Sequence, residues 1–72
     1  IIAFNGESLK DIAAVLERCY SVTFKIYPSK QNSLHFYGVF YKDSQNVRDI
    51  MEALAATGKF TYKISGKTII IQ

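Results

Sequence analysis

One histidine, one cysteine and six carboxylates are the side chains of this 72-residue chain best suited to moving protons, attacking a carbon or holding a metal. A general base needs a nucleophile or an orienting acid within reach. His35 stands beside Phe36 in an aromatic run, with no Ser, Cys or acid placed as a triad would need. A packed or solvent-facing imidazole accounts for it. Cys19 falls near the apolar side of a helical pattern, where a thiol serves as a small core group. One cysteine excludes an internal disulfide, and Cys and His together are too few for a structural zinc site. The carboxylates map mostly to helix exteriors; Asp11 and Asp49 fall near helix starts, where the helix dipole favours negative charge. The four glycines are isolated, so no phosphate-cradling loop is present. The expectation is a non-enzymatic domain with no catalytic residue, cofactor, metal or small-molecule substrate.

What, then, do these residues sit on? At 72 residues the chain is one domain, residues 1–72, since a second would have no core of its own. A domain this short buries only roughly 60% of its unfolded surface, so packing alone must hold it. A composition that is 49% hydrophobic and 14% aromatic supplies that packing and leaves aromatics to spare for the surface. With Ile1 in place of an initiator methionine, the sequence reads as a segment of a longer protein. No apolar run approaches the ~20 residues that span a bilayer, and no signal-peptide pattern is present. Net charge is +3, but the nine Lys and Arg are spread along the chain. A nucleic-acid surface shows instead as a cluster or stripe, so no nucleic-acid partner is expected.

The strongest internal signal is a duplication. An offset of 38 sets Leu9–Ile26 on Val47–Ile64 with six identities in 18 positions: Asp11/Asp49, Ile12/Ile50, Leu16/Leu54, Thr23/Thr61, Lys25/Lys63 and Ile26/Ile64. Chance gives roughly one, and two copies are too few for a solenoid. Each copy reads as helix then strand. Leu9, Ile12, Ala13, Leu16 and Tyr20 share one helical face, as do Val47, Ile50, Met51 and Leu54. Ser8 is the expected cap of the first helix, and Asn46 or Ser44 that of the second; Gly58 supplies a left-handed stop. Ala14 and Val15, and Ala53, Ala55 and Ala56, widen the apolar arcs, which predicts helices covered on more than one side.

Val22, Phe24 and Ile26 alternate with polar neighbours as a strand does, closed by Pro28; Phe60, Tyr62 and Ile64 do the same. Leu34, Phe36, Gly38 and Phe40 alternate with His35, Tyr37, Val39 and Tyr41. Ile1–Phe4 is a short opening strand ended by Asn5-Gly6, and Ser65-Gly66 turns the chain into Thr68–Ile71. Residues 28–33 form the only substantial loop. The fold class is α+β, a duplicated βαβ in the order β-α-β-β-α-β-β. On this reading His35, Tyr37, Val39 and Tyr41 face away from the helices, and this row is the candidate protein-binding surface. The edge of the smaller sheet is a second place where a partner strand can add.

These residues also carry a family resemblance. Phe36-Tyr37-Gly38-Val39-Phe40 lies between a helix ending Leu16-Glu17-Arg18-Cys19-Tyr20 and one reading Val47-Arg48-Asp49-Ile50-Met51-Glu52-Ala53-Leu54. The chain closes on Tyr62-Lys63-Ile64, Gly66 and Ile69-Ile70-Ile71. From about Phe4 to Ile71 it resembles the C-terminal domain of FecR-type anti-sigma factors, departing at Cys19, where an aromatic is usual. The resemblance implies an STN-like fold, two helices between a two-stranded and a three-stranded sheet, as at the N-termini of secretins and TonB-dependent receptors. It also implies a periplasmic domain of a single-pass inner-membrane protein of Bacteroidetes type. The partners implied are the signalling domain of a TonB-dependent transporter and, through the parent's cytoplasmic segment, an extracytoplasmic-function sigma factor.

Two alternatives remain. The same fold serves on the transporter or a secretin, although those relatives more often carry glycine where Tyr20-Ser21 stands. An RNA-recognition module also runs βαββαβ with base-stacking aromatics on its third strand. With Gly38 aligned to its small residue, that signature fails at His35, Phe36, Val39 and Lys42.

Overall fold

The computed structural model describes residues 1–28 and 34–72. Its elements run β1 (Ile2–Ser8), α1 (Leu9–Tyr20), β2 (Thr23–Ile26), β3 (His35–Phe40), α2 (Val47–Ala55), β4 (Tyr62–Ser65) and β5 (Thr68–Ile71). Among the described residues two helices and five strands follow the expected order, in one sheet of two strands and one of three. The loop expected at 28–33 lies, beyond Pro28, outside the described residues.

Both helices start where a side chain can take up a free backbone N–H. Ser8 ends β1 and at once caps α1, its hydroxyl accepting from Asp11 N–H at 3.3 Å. Asn46 caps α2 reciprocally: its Oδ1 accepts from Asp49 N–H at 2.9 Å, and its own N–H donates to Asp49 Oδ2 at 3.1 Å. The two caps are themselves 38 positions apart, so the duplication extends to the helix starts. Each cap is worth about 1 kcal/mol. At its far end α1 stops on Ser21, which adopts the left-handed conformation (φ 55°) usually left to glycine.

One apolar core joins every described element. Leu9, Ile12 and Leu16 of α1 and Ile50, Met51 and Leu54 of α2 pack with Ile2, Phe4, Phe36 and Phe40 from one sheet and Ile69 and Ile71 from the other. The apolar arcs are narrower than their composition suggests, because Ala14, Ala53 and Ala56 are exposed while Val15 and Ala55 are half-buried. A methyl gains little from burial, so these positions do not draw cover over themselves.

In the three-stranded sheet β5 lies between β2, to which it is parallel, and β4, to which it is antiparallel. The duplicated strands therefore flank β5 in opposite directions. Phe24 and Ile64 meet across Ile69, and Ile26 and Tyr62 across Ile71. The link from β4 to β5 is two residues long, Gly66-Lys67, with Ser65 paired to Thr68. Gly66 takes the positive φ (61°) needed at the first turn position.

The opening strand is longer than its sequence suggests. Asn5-Gly6 does not end it; the chain passes through Gly6 as a β-bulge (φ 85°), and pairing with β3 resumes at Glu7 opposite Phe36. The bulge brings Ser8 to the start of α1 with no intervening loop.

Candidate protein-binding face

Antiparallel pairing with β1 decides which way each residue of β3 points. Phe36 and Phe40 point inward and are buried. Gly38 lies opposite Phe4, and a β-carbon there would come within 3.2 Å of the Phe40 ring. The Phe-x-Gly-x-Phe run thus gives up one side chain so that Phe4 and Phe40 can pack as a tilted pair, centroids 6.1 Å apart. At the other end Phe36 meets Phe60 edge-on at 5.8 Å, with Lys59 Nζ 5.5 Å from the Phe36 centroid.

The alternate residues emerge on the opposite face. Tyr37 is 74% exposed, and Val39 and Tyr41 are each 54% exposed, large values for side chains that gain from burial. Val39 faces Ala3 and Tyr37 faces Asn5 across the pair, and both β1 residues are exposed as well. Among the described residues nothing buries this face over Tyr37 and Val39, so it is a small apolar surface at the water boundary. His35 is exposed at one end of the row. Its Nδ1 lies 3.0 Å from the Gly6 carbonyl oxygen, which can only accept, so the Nδ1 carries the proton. All four expected residues are exposed; His35, Tyr37 and Val39 alternate along one face of β3, Tyr41 follows just past its end, and His35 is tied to the bulge rather than left free.

The ends of the row are held by polar contacts that the sequence pattern does not show. Tyr41 N–H donates to Gln45 Oε1 at 2.8 Å, and the Tyr41 carbonyl accepts from Gln45 N–H at 2.9 Å. The Gln45 carbonyl in turn accepts from the Tyr20 hydroxyl at 2.9 Å, which ties the end of α1 to the turn before α2. Burial first, and then the Cys19, Asp49 and Asp43 charges, raise the Tyr20 phenol above its ordinary value. Cys19 itself is half-buried against the core.

Elsewhere a shallow open groove of about 250 Å³ is lined by Lys10, Ala13, Ala14, Glu17, Phe24 and Ile26. The Glu17 carboxylate there already accepts from Phe24 N–H at 2.8 Å. Among the described residues no three of His, Cys, Asp and Glu converge as metal ligands would. No helix among them is long and apolar enough to cross a membrane.

Over residues 1–71 the chain matches the protein family described as "FecR, C-terminal". It belongs to that family. No curated protein and no solved structure matches it. The FecR C-terminal domain is therefore a part of FecR-type anti-sigma regulators, and its work is in signal transduction through protein contacts. The four-stranded sheet of an RNA-recognition module is not formed by the described strands, which divide into sheets of two and three.

Proposed function

We propose that this FecR C-terminal domain is a non-enzymatic interaction module in the periplasm, part of a single-pass inner-membrane anti-sigma regulator. In this reading it contacts the STN-type signalling domain of a TonB-dependent transporter. Ligand at the transporter alters that contact, and the parent's cytoplasmic segment then releases an extracytoplasmic-function sigma factor.

The observation that carries the reading is the exposed pair Tyr37 and Val39 on one face of β3, with exposed Tyr41 just past its end. Tyrosine brings a large contact area at small entropic expense, and here the backbone is already fixed by the β1–β3 ladder. Such a row suits a flat, partly apolar protein surface better than a small molecule, which needs a concave site.

Isothermal titration with the N-terminal signalling domain of a TonB-dependent transporter encoded beside this gene tests the proposal. Saturable binding is expected, with none to a short single-stranded RNA at moderate salt. RNA binding that weakens with salt, without binding to the signalling domain, would overturn it.

A further inference from the structure

The three-stranded sheet has two edges, and the duplication makes them comparable. In β2, Thr23 N–H bonds Lys67 O at 2.8 Å and Tyr27 N–H bonds Ile71 O at 3.3 Å. Odd-numbered residues of β2 therefore face β5, and the N–H groups of Phe24 and Ile26 point to the outer edge. The one on Phe24 is taken up by Glu17 Oε2 at 2.8 Å, so α1 closes this edge with a carboxylate.

The outer edge of β4 is the counterpart. Thr61 and Gln72 exchange both of their backbone bonds, at 3.2 and 2.9 Å. Along the unbroken register this leaves Tyr62 and Ile64 with N–H and C=O groups turned away from β5. The 38-residue offset sets Tyr62 on Phe24 and Ala55 on Glu17. Ala55 has no acceptor to offer, and among the described residues none closes the outward groups of Tyr62 or Ile64. One copy of the unit seals its edge and the other leaves it open.

We propose that the β4 edge accepts an extended segment of a second protein as a fourth strand, and that this segment places an acidic residue between two apolar ones. Lys63 lies between the two outward-bonding residues and is exposed on the outer face, in a row with Ile70 and Lys25. The strands and turn of this sheet carry Lys25, Lys63 and Lys67 and no Asp or Glu; the carboxylates lie in β1, the helices and the turn before α2. The duplication thus gathers onto one face lysines that are scattered along the sequence. An acidic side chain beside Lys63 meets an unopposed positive row, while apolar residues beside Tyr62 and Ile64, both half-buried, extend the core. A second copy of this chain fits poorly. Two β4 edges paired about a twofold axis with Tyr62 facing Ile64 set Lys63 against Lys63, and like charges directly opposed destabilise a sheet. This strand addition is separate from the tyrosine face and stands whether or not that face binds the transporter domain.

A short peptide of alternating valine and glutamate, titrated into the isotope-labelled chain, tests the proposal through amide hydrogen exchange. At saturation the Tyr62 and Ile64 amides are expected to exchange at least about tenfold more slowly. A valine–lysine peptide is expected to bind roughly fivefold more weakly, and Lys63→Glu to reverse that order. Ala55→Glu, which copies Glu17, is expected to abolish binding; Lys63→Glu, at an exposed position, keeps the test valid if that variant fails to fold. Unchanged exchange at Tyr62 and Ile64 at millimolar peptide would overturn the proposal. Protection confined to other strands would do the same, as would protection appearing without peptide in step with a concentration-dependent dimer.

Discussion

The ring of Tyr37 lies across Gly6, so close that a β-carbon on Gly6 would stand 3.0 Å from the tyrosine hydroxyl oxygen. Gly6 is also the bulged residue of β1, with φ 85°. A single glycine thus serves both sides of the sheet. It lets β1 continue to the cap of α1, and it gives the most exposed aromatic of the candidate face a flat seat.

Gly6→Ala therefore strains the backbone and meets the Tyr37 ring at once. The expected loss is about 1–3 kcal/mol, read as a lower urea midpoint with an unchanged slope. Displacement of Tyr37 is expected to weaken partner binding in the same variant.

Gly38→Ala is expected to act through the core instead. The new methyl would lie 3.2 Å from one Phe40 ring carbon and 3.4 Å from another, with Phe4 on the opposing strand leaving little room to yield. Overpacking of this kind costs about 1–3 kcal/mol. Thermal denaturation measures it, and near-ultraviolet circular dichroism reports the altered Phe environment.

Ser21→Gly is expected to do the opposite. Ser21 holds φ 55° and ψ 46° at the end of α1, where only glycine avoids a steric penalty. Relief of that strain, less the greater freedom of glycine in the unfolded chain, stabilises by about 0.5–1 kcal/mol. For a domain of this size that raises the thermal midpoint by a few degrees.

The alkaline limb of stability is expected to involve Tyr20. Its phenol is raised above the ordinary value of 10.0, by burial first and nearby charges second. The unfolded chain thus gives up this proton at lower pH than the folded one. The contribution is fully present below the unfolded value and is lost as pH rises through the folded one. Tyr20→Phe should flatten the fall in stability above about pH 10, while losing the hydroxyl bond to Gln45 O, about 1 kcal/mol at neutral pH. A pH series of urea melts on both proteins separates the two effects.

Much of this architecture is local and so legible in sequence. Ser8 with Asp11 and Asn46 with Asp49 mark the helix starts because capping acts within one turn. The alternation Phe36, Gly38, Phe40 against His35, Tyr37, Val39 assigns the two faces of β3 because side chains alternate along any strand. Three features are not local. Asn5-Gly6 has the composition of a turn, and only pairing with β3 converts it into a bulge. The bond from Phe24 N–H to Glu17 requires α1 to lie over β2, which no pattern within either segment encodes. Gln45, between two tyrosines distant in the chain, is recognisable only once α1 and the turn before α2 are side by side.

The affinity of the transporter signalling domain for the Tyr37→Ala, Tyr41→Ala double variant, set against the parent chain, tests the central claim most directly. Both side chains are mostly in solvent, so the thermal midpoint should move by no more than surface substitutions usually cause, about 0.5 kcal/mol. Binding should fall by about tenfold or more, as when aromatic anchors are removed from an interface. Unchanged affinity in a folded double variant would contradict the account and move the contact to another surface.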